Sequence, residues 1–412
     1  MKVKSKAVVI ISLFMLLLGT LIGSLTYQKQ ENKDSIKPQD ISNNNVNEKM
    51  PNSFLGDFSD QFIIDEQVKQ LIIKYMDAYY SSLYTLQTVD TSNFFDNELS
   101  GKISNTAIDY IVNTRKLYDI DLSIRNAHYD LKIINYSKQD DTYYVDFLED
   151  DYMHFSFAKD IESSAYDIEN HFVIKYDGTD YKIHDLEKVQ GYYLSFYEDC
   201  DSIEEVEEKY AYLFKQMLDM VSYNYDVLNN KPISSSSKQA TKPYDRESAV
   251  AYLDQYYHQR NSEWFNYSDT GGNCQNYASQ ALLAGGIPMD FYGEQQWKCY
   301  GDYTYDPDVD ESETANGRSK SWVNVGYFYD YVLNNYGTGL VAEITSNLNE
   351  AQIGDIIIVG NEDLAHTVMI SKIIDGNIFV NSNSIDMKDY PIDAYNYTKV
   401  ILIKIIGYNQ YN

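Results

Sequence analysis

Residues 271–289 read GGNCQNYASQALLAGGIPM, and the folding of this stretch decides how the C-terminal part of the chain is built. Two glycines and an asparagine precede Cys274. Alanine, leucine and tyrosine then recur at helical spacing up to Ala284, Gly285-Gly286 supply a C-terminal cap, and Ile287-Pro288 lead the chain out. The spacing predicts a helix over 274–284 with the thiol in its first turn. There the unpaired N–H groups and the positive end of the helix dipole favour thiolate over thiol. A cysteine near a helix start is also a common small hydrophobic filler, so position alone does not define a function.

Working outward, YDRESAVAYLDQYYHQRN (244–261) carries Ala249, Leu253, Tyr256 and Tyr257 on one face and predicts a second helix. On the other side, Ser321 caps a helix expected to run to Asn335, with Trp322, Val325, Phe328, Tyr329 and Val332 together. The segment IGDIIIVGNEDLAHTVMISKIIDGNIFVNSNSID (353–386) reads as strands over Ile356–Val359, from His366, and over Ile378–Asn383 after an Asp375-Gly376 turn. A strand over Lys399–Ile406 completes the antiparallel sheet. A nucleophile at a helix start, then a strand presenting histidine, then a strand carrying asparagine is a papain-like order, with the base far in sequence and near in space. His366 competes with His258, which the pattern places mid-helix on the surface. Cys274 competes with Cys299, which has no helix start behind it. Asn381 and Asn383 alternate with Ser382, so they share a face and either could orient the imidazole. The backbone N–H of Cys274, with a second donor from Asn273 or a nearby side chain, would form the oxyanion hole.

NCQNYASQALLAGGIPM, SKSWVNV and IGDIIIV…HTVMIS, in that order within Tyr244–Tyr408, resemble the putative amidase domain family. Its hallmark is a DCTNFVSQ-like helix start followed by SW and GD…H. The resemblance implies an exported protein of a Gram-positive spore former, with a fold related to the NlpC/P60 and CHAP peptidoglycan hydrolases. It implies amide hydrolysis by Cys274, His366 and Asn383, supported by Asn273 and Asn381, with cell-wall peptide as the partner. It favours Asn383 over Asn381 as the orienting residue. Two departures stand out: position 273 is Asn where the family usually has Asp, and position 383 is Asn where it often has His.

The rest of the chain supplies location and scaffold. Lys2, Lys4 and Lys6 precede the uncharged run Ala7–Leu25, close to the roughly 20 residues that span a bilayer. The basic flank on the N-terminal side directs the rest of the chain to be exported. A single-span anchor within 1–26 is favoured over a cleaved signal. Residues 27–56 are polar and aperiodic and read as a tether. Residues 57–228 pair helices, around Phe62–Leu86 and Ser104–Leu117, with a run of period-two strands and a later helix from Ile203. That is an α+β unit whose order resembles nuclear-transport-factor-2-like domains. A linker comes next at 229–243, with four serines between two prolines, and then the catalytic unit, 244–412, also α+β.

Over 412 residues the formal charge is −29, which argues against a nucleic-acid partner held by charge. Three cysteines cannot build a disulfide framework. Cys200 sits among carboxylates that disfavour its thiolate, and His128, His154, His171 and His184 show no metal-ligand spacing, so neither metal nor cofactor is expected. Two other readings stay open: a non-catalytic wall-binding module on the same fold, and a membrane-tethered structural or signalling protein.

Overall fold

A computed structural model describes residues 55–59, 62–229, 238–292, 295–299, 317–361 and 364–410. The expected anchor and most of the tether lie outside these residues. Among the described residues no helix is long and apolar enough to cross a membrane.

In the N-terminal half, β1 (Leu55–Ser59) is followed by α1 (Glu66–Thr85) and α2 (Glu98–Arg115). Asp65 caps α1 by accepting the Gln67 N–H, and Val68, Leu71, Ile72, Tyr75, Met76, Tyr79 and Leu83 turn inward as their spacing predicts. Helix α2 starts earlier than Ser104 because the Asn97 side chain accepts the N–H groups of Leu99 and Ser100. Four antiparallel strands come after it: β2 (Ile124–Gln139), β3 (Thr142–Phe155), β4 (Glu162–Tyr176) and β5 (Tyr181–Lys188). Helices α3 (Gly191–Tyr197) and α4 (Ile203–Asn229) close this half.

Strand β3 corrects the sequence reading. By their period of two, Tyr143/Val145/Phe147 and Met153/Phe155/Phe157 read as two successive strands. Instead one alternation runs through Tyr143, Val145, Phe147, Glu149, Asp151, Met153 and Phe155, all buried. The two carboxylates keep the inward positions because each has polar company. Glu149 pairs with Lys188 and accepts from Tyr80 Oη (2.7 Å) and Asn170 Nδ2 (3.0 Å), and Asp151 accepts the Ala165 N–H (2.9 Å).

The C-terminal half contains α5 (Arg246–Tyr256), α6 (Cys274–Ala284), α7 (Lys320–Val323), α8 (Val325–Asn334), β6 (Gly339–Thr345), β7 (Ile356–Gly360), β8 (Leu364–Ile374), β9 (Asn377–Ser382), β10 (Asp386–Pro391) and β11 (Lys399–Asn409). The helix expected from Ser321 to Asn335 is broken at Asn324. This residue is extended (φ −120°, ψ 132°) and uses its side chain to cap Tyr327 N–H. Strands β6 and β10 have no counterpart in the sequence reading; β10 is DMKDYP, too polar to carry a strand pattern.

The described strands form one mixed α+β sheet in the order β1-β2-β3-β4-β10-β9-β8-β7-β11-β6, with β5 also on β4. All pairings are antiparallel except β1 with β2. β10 joins β4 through Asp386↔Tyr166, Met387↔Ala165 and Lys388↔Ser164, so strands from both halves share the sheet. In the C-terminal half the sheet buries both faces. Ile356, Ile358, Met369, Ile403 and Ile405 pack with α6, and Ile357, Val359, Val368, Ile370 and Leu402 pack on the opposite side with Ile392.

Candidate active site

Helix α6 places Cys274 at its first position, as the sequence predicts, and ends at Gly285, whose N–H returns to the carbonyls of Ala281 and Leu283. Three tryptophans brace it. Trp322 stacks between Trp297 (4.8 Å) and Trp264 (5.3 Å), donates Nε1–H to Asn276 Oδ1 (2.8 Å), and accepts Ser279 Oγ–H at its carbonyl (2.8 Å). Thus Trp322 holds α6 through Asn276 and Ser279. Asp355 has a comparable task. It is buried, bonds Arg246 of α5 at 2.7 Å and accepts the Ile405 N–H at 2.9 Å, tying α5 to the sheet.

The Cys274 thiol lies against the backbone N–H of Thr367, next to His366 on β8, and near the N–H groups of Cys274 itself and Gln275. These donors favour thiolate, yet burial outweighs them and the Cys274 pKa is raised. Burial thus works against the thiolate that the helix start favours. His366 is 8% exposed, and burial lowers it to about 4, so the imidazole is neutral. Its Nε2 is buried with no hydrogen-bond partner among the described residues. Leaving such a nitrogen unpaired costs about 1–3 kcal/mol, which marks it as reserved for another group.

Strand alternation decides who can touch the imidazole. Thr367 faces α6, its Oγ1–H donating to Gln275 Oε1 (2.9 Å). His366 leaves the strand on the other face, where its ring lies 6.4 Å from that of Tyr395 in near-parallel planes. Tyr395 and Tyr397 are both raised, first by burial and also by the charge of a Cys274 thiolate, so the thiol lies within electrostatic reach of the ring that meets His366. Tyr395 is thus the group that both the thiol and the imidazole neighbour.

The two asparagines do share a face, as expected, but it is the α5–α6 face. Asn381 is registered opposite Met369, an odd number of residues from His366, and therefore points away from the imidazole. Its Oδ1 accepts the Asp389 N–H (2.8 Å) and its Nδ2 donates to Asp254 (3.3 Å). Asn383 lies just past β9. Its Nδ2 donates to the carbonyls of Tyr256 and Tyr257 (3.2 Å each), and its Oδ1 accepts from Asn273 Nδ2 (2.7 Å). Neither hydrogen-bonds His366. Asn273 Oδ1 accepts from the Tyr267 N–H (3.1 Å) and Asn276 Nδ2 (2.8 Å), and its own N–H is held by Ser384 Oγ. That N–H is thereby occupied, and the backbone donors at the sulfur are those of Thr367, Gln275 and Cys274. Asn273 and Asn383 are the two ends of one hydrogen bond.

The competing residues are placed elsewhere. Cys299 is buried in the tryptophan-side core, and burial pushes its thiol up to about 12. His258 comes after the end of α5 rather than sitting within it. Its Nδ1 lies 3.2 Å from Asp386 and 3.9 Å from Asp167. These three could surround a cation, but Arg260 already holds Asp386 with two bonds (2.8 and 2.9 Å). Sequence reasoning missed Tyr395 and Tyr397, which lie in a short segment without a strand or helix pattern.

Residues 243–406 match the family model described as Putative amidase domain, which supports an amidase-like domain here and suggests amide hydrolysis. The chain is 30% identical over 152 residues to "Uncharacterized protein YhbB" of Bacillus subtilis (strain 168), a stretch covering 35% of this chain and 43% of that protein. The chain thus spans less than half the length of this curated relative. No solved structure matches it.

Proposed function

We propose that the 244–412 unit hydrolyses an amide by covalent catalysis at Cys274, on a papain-like arrangement. The observation that carries this reading is the neutral His366 imidazole, its Nε2 unpartnered beside the Tyr395 ring that also senses Cys274. A neutral imidazole is a general base. It takes the thiol proton as Sγ bonds to the amide carbon, and returns that proton to the nitrogen as the C–N bond breaks. Water, deprotonated by the same imidazole, then releases the acid and restores the thiol. The N–H groups of Cys274 and Gln275 are the donors for the oxyanion. Asn383 acts at one remove, fixing Asn273 and hence the turn into α6.

The substrate we infer is a peptide of the cell wall, met outside the cell by a protein held through Ala7–Leu25. Purified peptidoglycan is digested with the full-length chain and with its Cys274→Ala form, and new free amines are read by mass spectrometry. Amines released only by the native chain are expected. Identical digests from two folded proteins would favour a wall-binding module instead. Membrane fractionation of the full-length chain tests location, and recovery in the cytosol would remove the wall substrate.

A further inference from the structure

Tyr395, whose ring meets His366, and Tyr397 line a cavity to which both halves of the chain contribute, and Cys274 lies within electrostatic reach of both phenols. From the N-terminal half its lining includes Asp151 of β3 with Gln190 and Tyr192 from the β5–α3 region, and Tyr390 also borders it. Asp151 is the one ionisable carboxyl in this wall. It is 5% exposed, and its hydrogen bond among the described residues is the one from Ala165 N–H to Oδ1. The neighbouring cations are committed elsewhere: Lys188 to Glu149, and Arg115 to the Leu122 carbonyl and the Tyr390 hydroxyl (3.3 Å each). The cavity measures about 50 Å³. Since one water needs roughly 10–15 Å³ on this scale, it has room for a primary ammonium and a methylene or two, not for a ring.

We propose that the N-terminal half completes the substrate site, and that Asp151 receives a primary ammonium group of the substrate while the tyrosines enclose its methylenes. A carboxylate in an aromatic-lined, otherwise uncharged cavity is the complement of an alkylammonium. Burial, and then Glu149, raise Asp151 to about 7 against the opposing pull of Lys188 and Arg115, so an arriving cation would further favour its ionised form. A wider depression on the N-terminal half, about 540 Å³ and lined by Asp90, Ser92 and Asn105, carries no such vacancy, because those side chains bond one another.

This proposal rests on the hydrolase reading for its substrate, so its test has one arm that does not. In the first arm, peptidoglycan stem peptides with free or acetylated amines are given to the full-length chain and to Asp151→Asn, which keeps an acceptor for Ala165 N–H. Acetylation should lower the native kcat/KM at least about tenfold, and Asp151→Asn should lose about tenfold on the free-amine peptide only. Equal loss on both peptides, or an intact preference in the variant, would overturn the subsite. In the second arm, n-propylammonium is tested as a protector of Cys274 against iodoacetamide, with n-propanol as the control. Protection by the amine alone, lost in Asp151→Asn, supports the subsite even if neither peptide is cleaved, an outcome that would sink the hydrolase reading alone. No protection of the native chain would overturn the subsite, whatever the variant does.

Discussion

Strand β3 and the start of α6 both carry ionisable groups into the interior, and they treat them in opposite ways. On β3, Glu149 meets Lys188, Tyr80 and Asn170, so a charge is buried with a full set of partners. At the start of α6 and on β8, burial favours the uncharged forms of Cys274 and His366, and an imidazole nitrogen is left without a partner among the described residues. Partners that belong to the chain make a charge part of the scaffold. Their absence, where the protein still excludes water, leaves room for the chemistry to be completed by something that arrives.

The comparison is broken most decisively at the thiol. On the proposed mechanism Cys274→Ala and His366→Ala should each lower amide hydrolysis by about 10⁴-fold or more, because nucleophile and base would act as a unit. Peptide digests read by mass spectrometry check this, with circular dichroism showing that the fold persists. Next comes Glu149→Ala, which strands the Lys188 ammonium in the core and should cost about 3–5 kcal/mol in urea unfolding. A variant as stable as the native chain would mean that β3 does not depend on its pairing.

His366→Gln sharpens the contrast through pH. The unfolded imidazole takes a proton below its ordinary 6.5, whereas the folded one resists until about 4. In that window the unfolded chain binds the extra proton, so this group makes stability rise with pH from about 4 to 6.5, by roughly 3 kcal/mol. Asp151 and Asp393, held up to about 7 and about 6 by burial, act in the opposite direction, so the native chain is compared with the variant at each pH. The native urea midpoint should fall relative to the variant's as the pH drops from about 6.5 to 4, and parallel curves would contradict the buried neutral imidazole. Asn383→Ala leaves the Asn273 amide and two carbonyls short of a partner, about 1–3 kcal/mol, and should slow turnover more than Asn381→Ala, which touches nothing beside the thiol. Smallest is Cys299→Ala, expected to leave turnover unchanged and to cost about 1 kcal/mol in packing.

Legibility in the sequence divides along the same line. Helix α6 was readable to its last residue, because spacing, glycine cap and exit proline agree. Strand β3 was divided in two because its apolar alternation is interrupted by Glu149 and Asp151, whose inward positions depend on partners elsewhere in the sequence. The shared face of Asn381 and Asn383 was right, but it says nothing about His366, since the relation between two strands depends on register and register is not written locally. Strand β10 was invisible because it takes its pattern from its neighbours: Asp386 and Asp389 are buried through Arg260, Lys372 and Ser371.

The β4–β10 pairing bears on how the molecule comes to be made. Ala165 waits for Met387, roughly 220 residues further along, before that ladder can form. Until then the N-terminal half presents the opening residues of β4 as an unpaired edge, and such edges are templates for pairing with other chains. Synthesis at about 5–20 residues per second leaves that edge open for some ten seconds or more. The polar, lysine-bearing partner strand that finally covers it is a poor seed for aggregation on its own account, so the hazard lies with the half that emerges first. Shortening the chain at its C-terminus should therefore produce insoluble protein rather than a smaller soluble one.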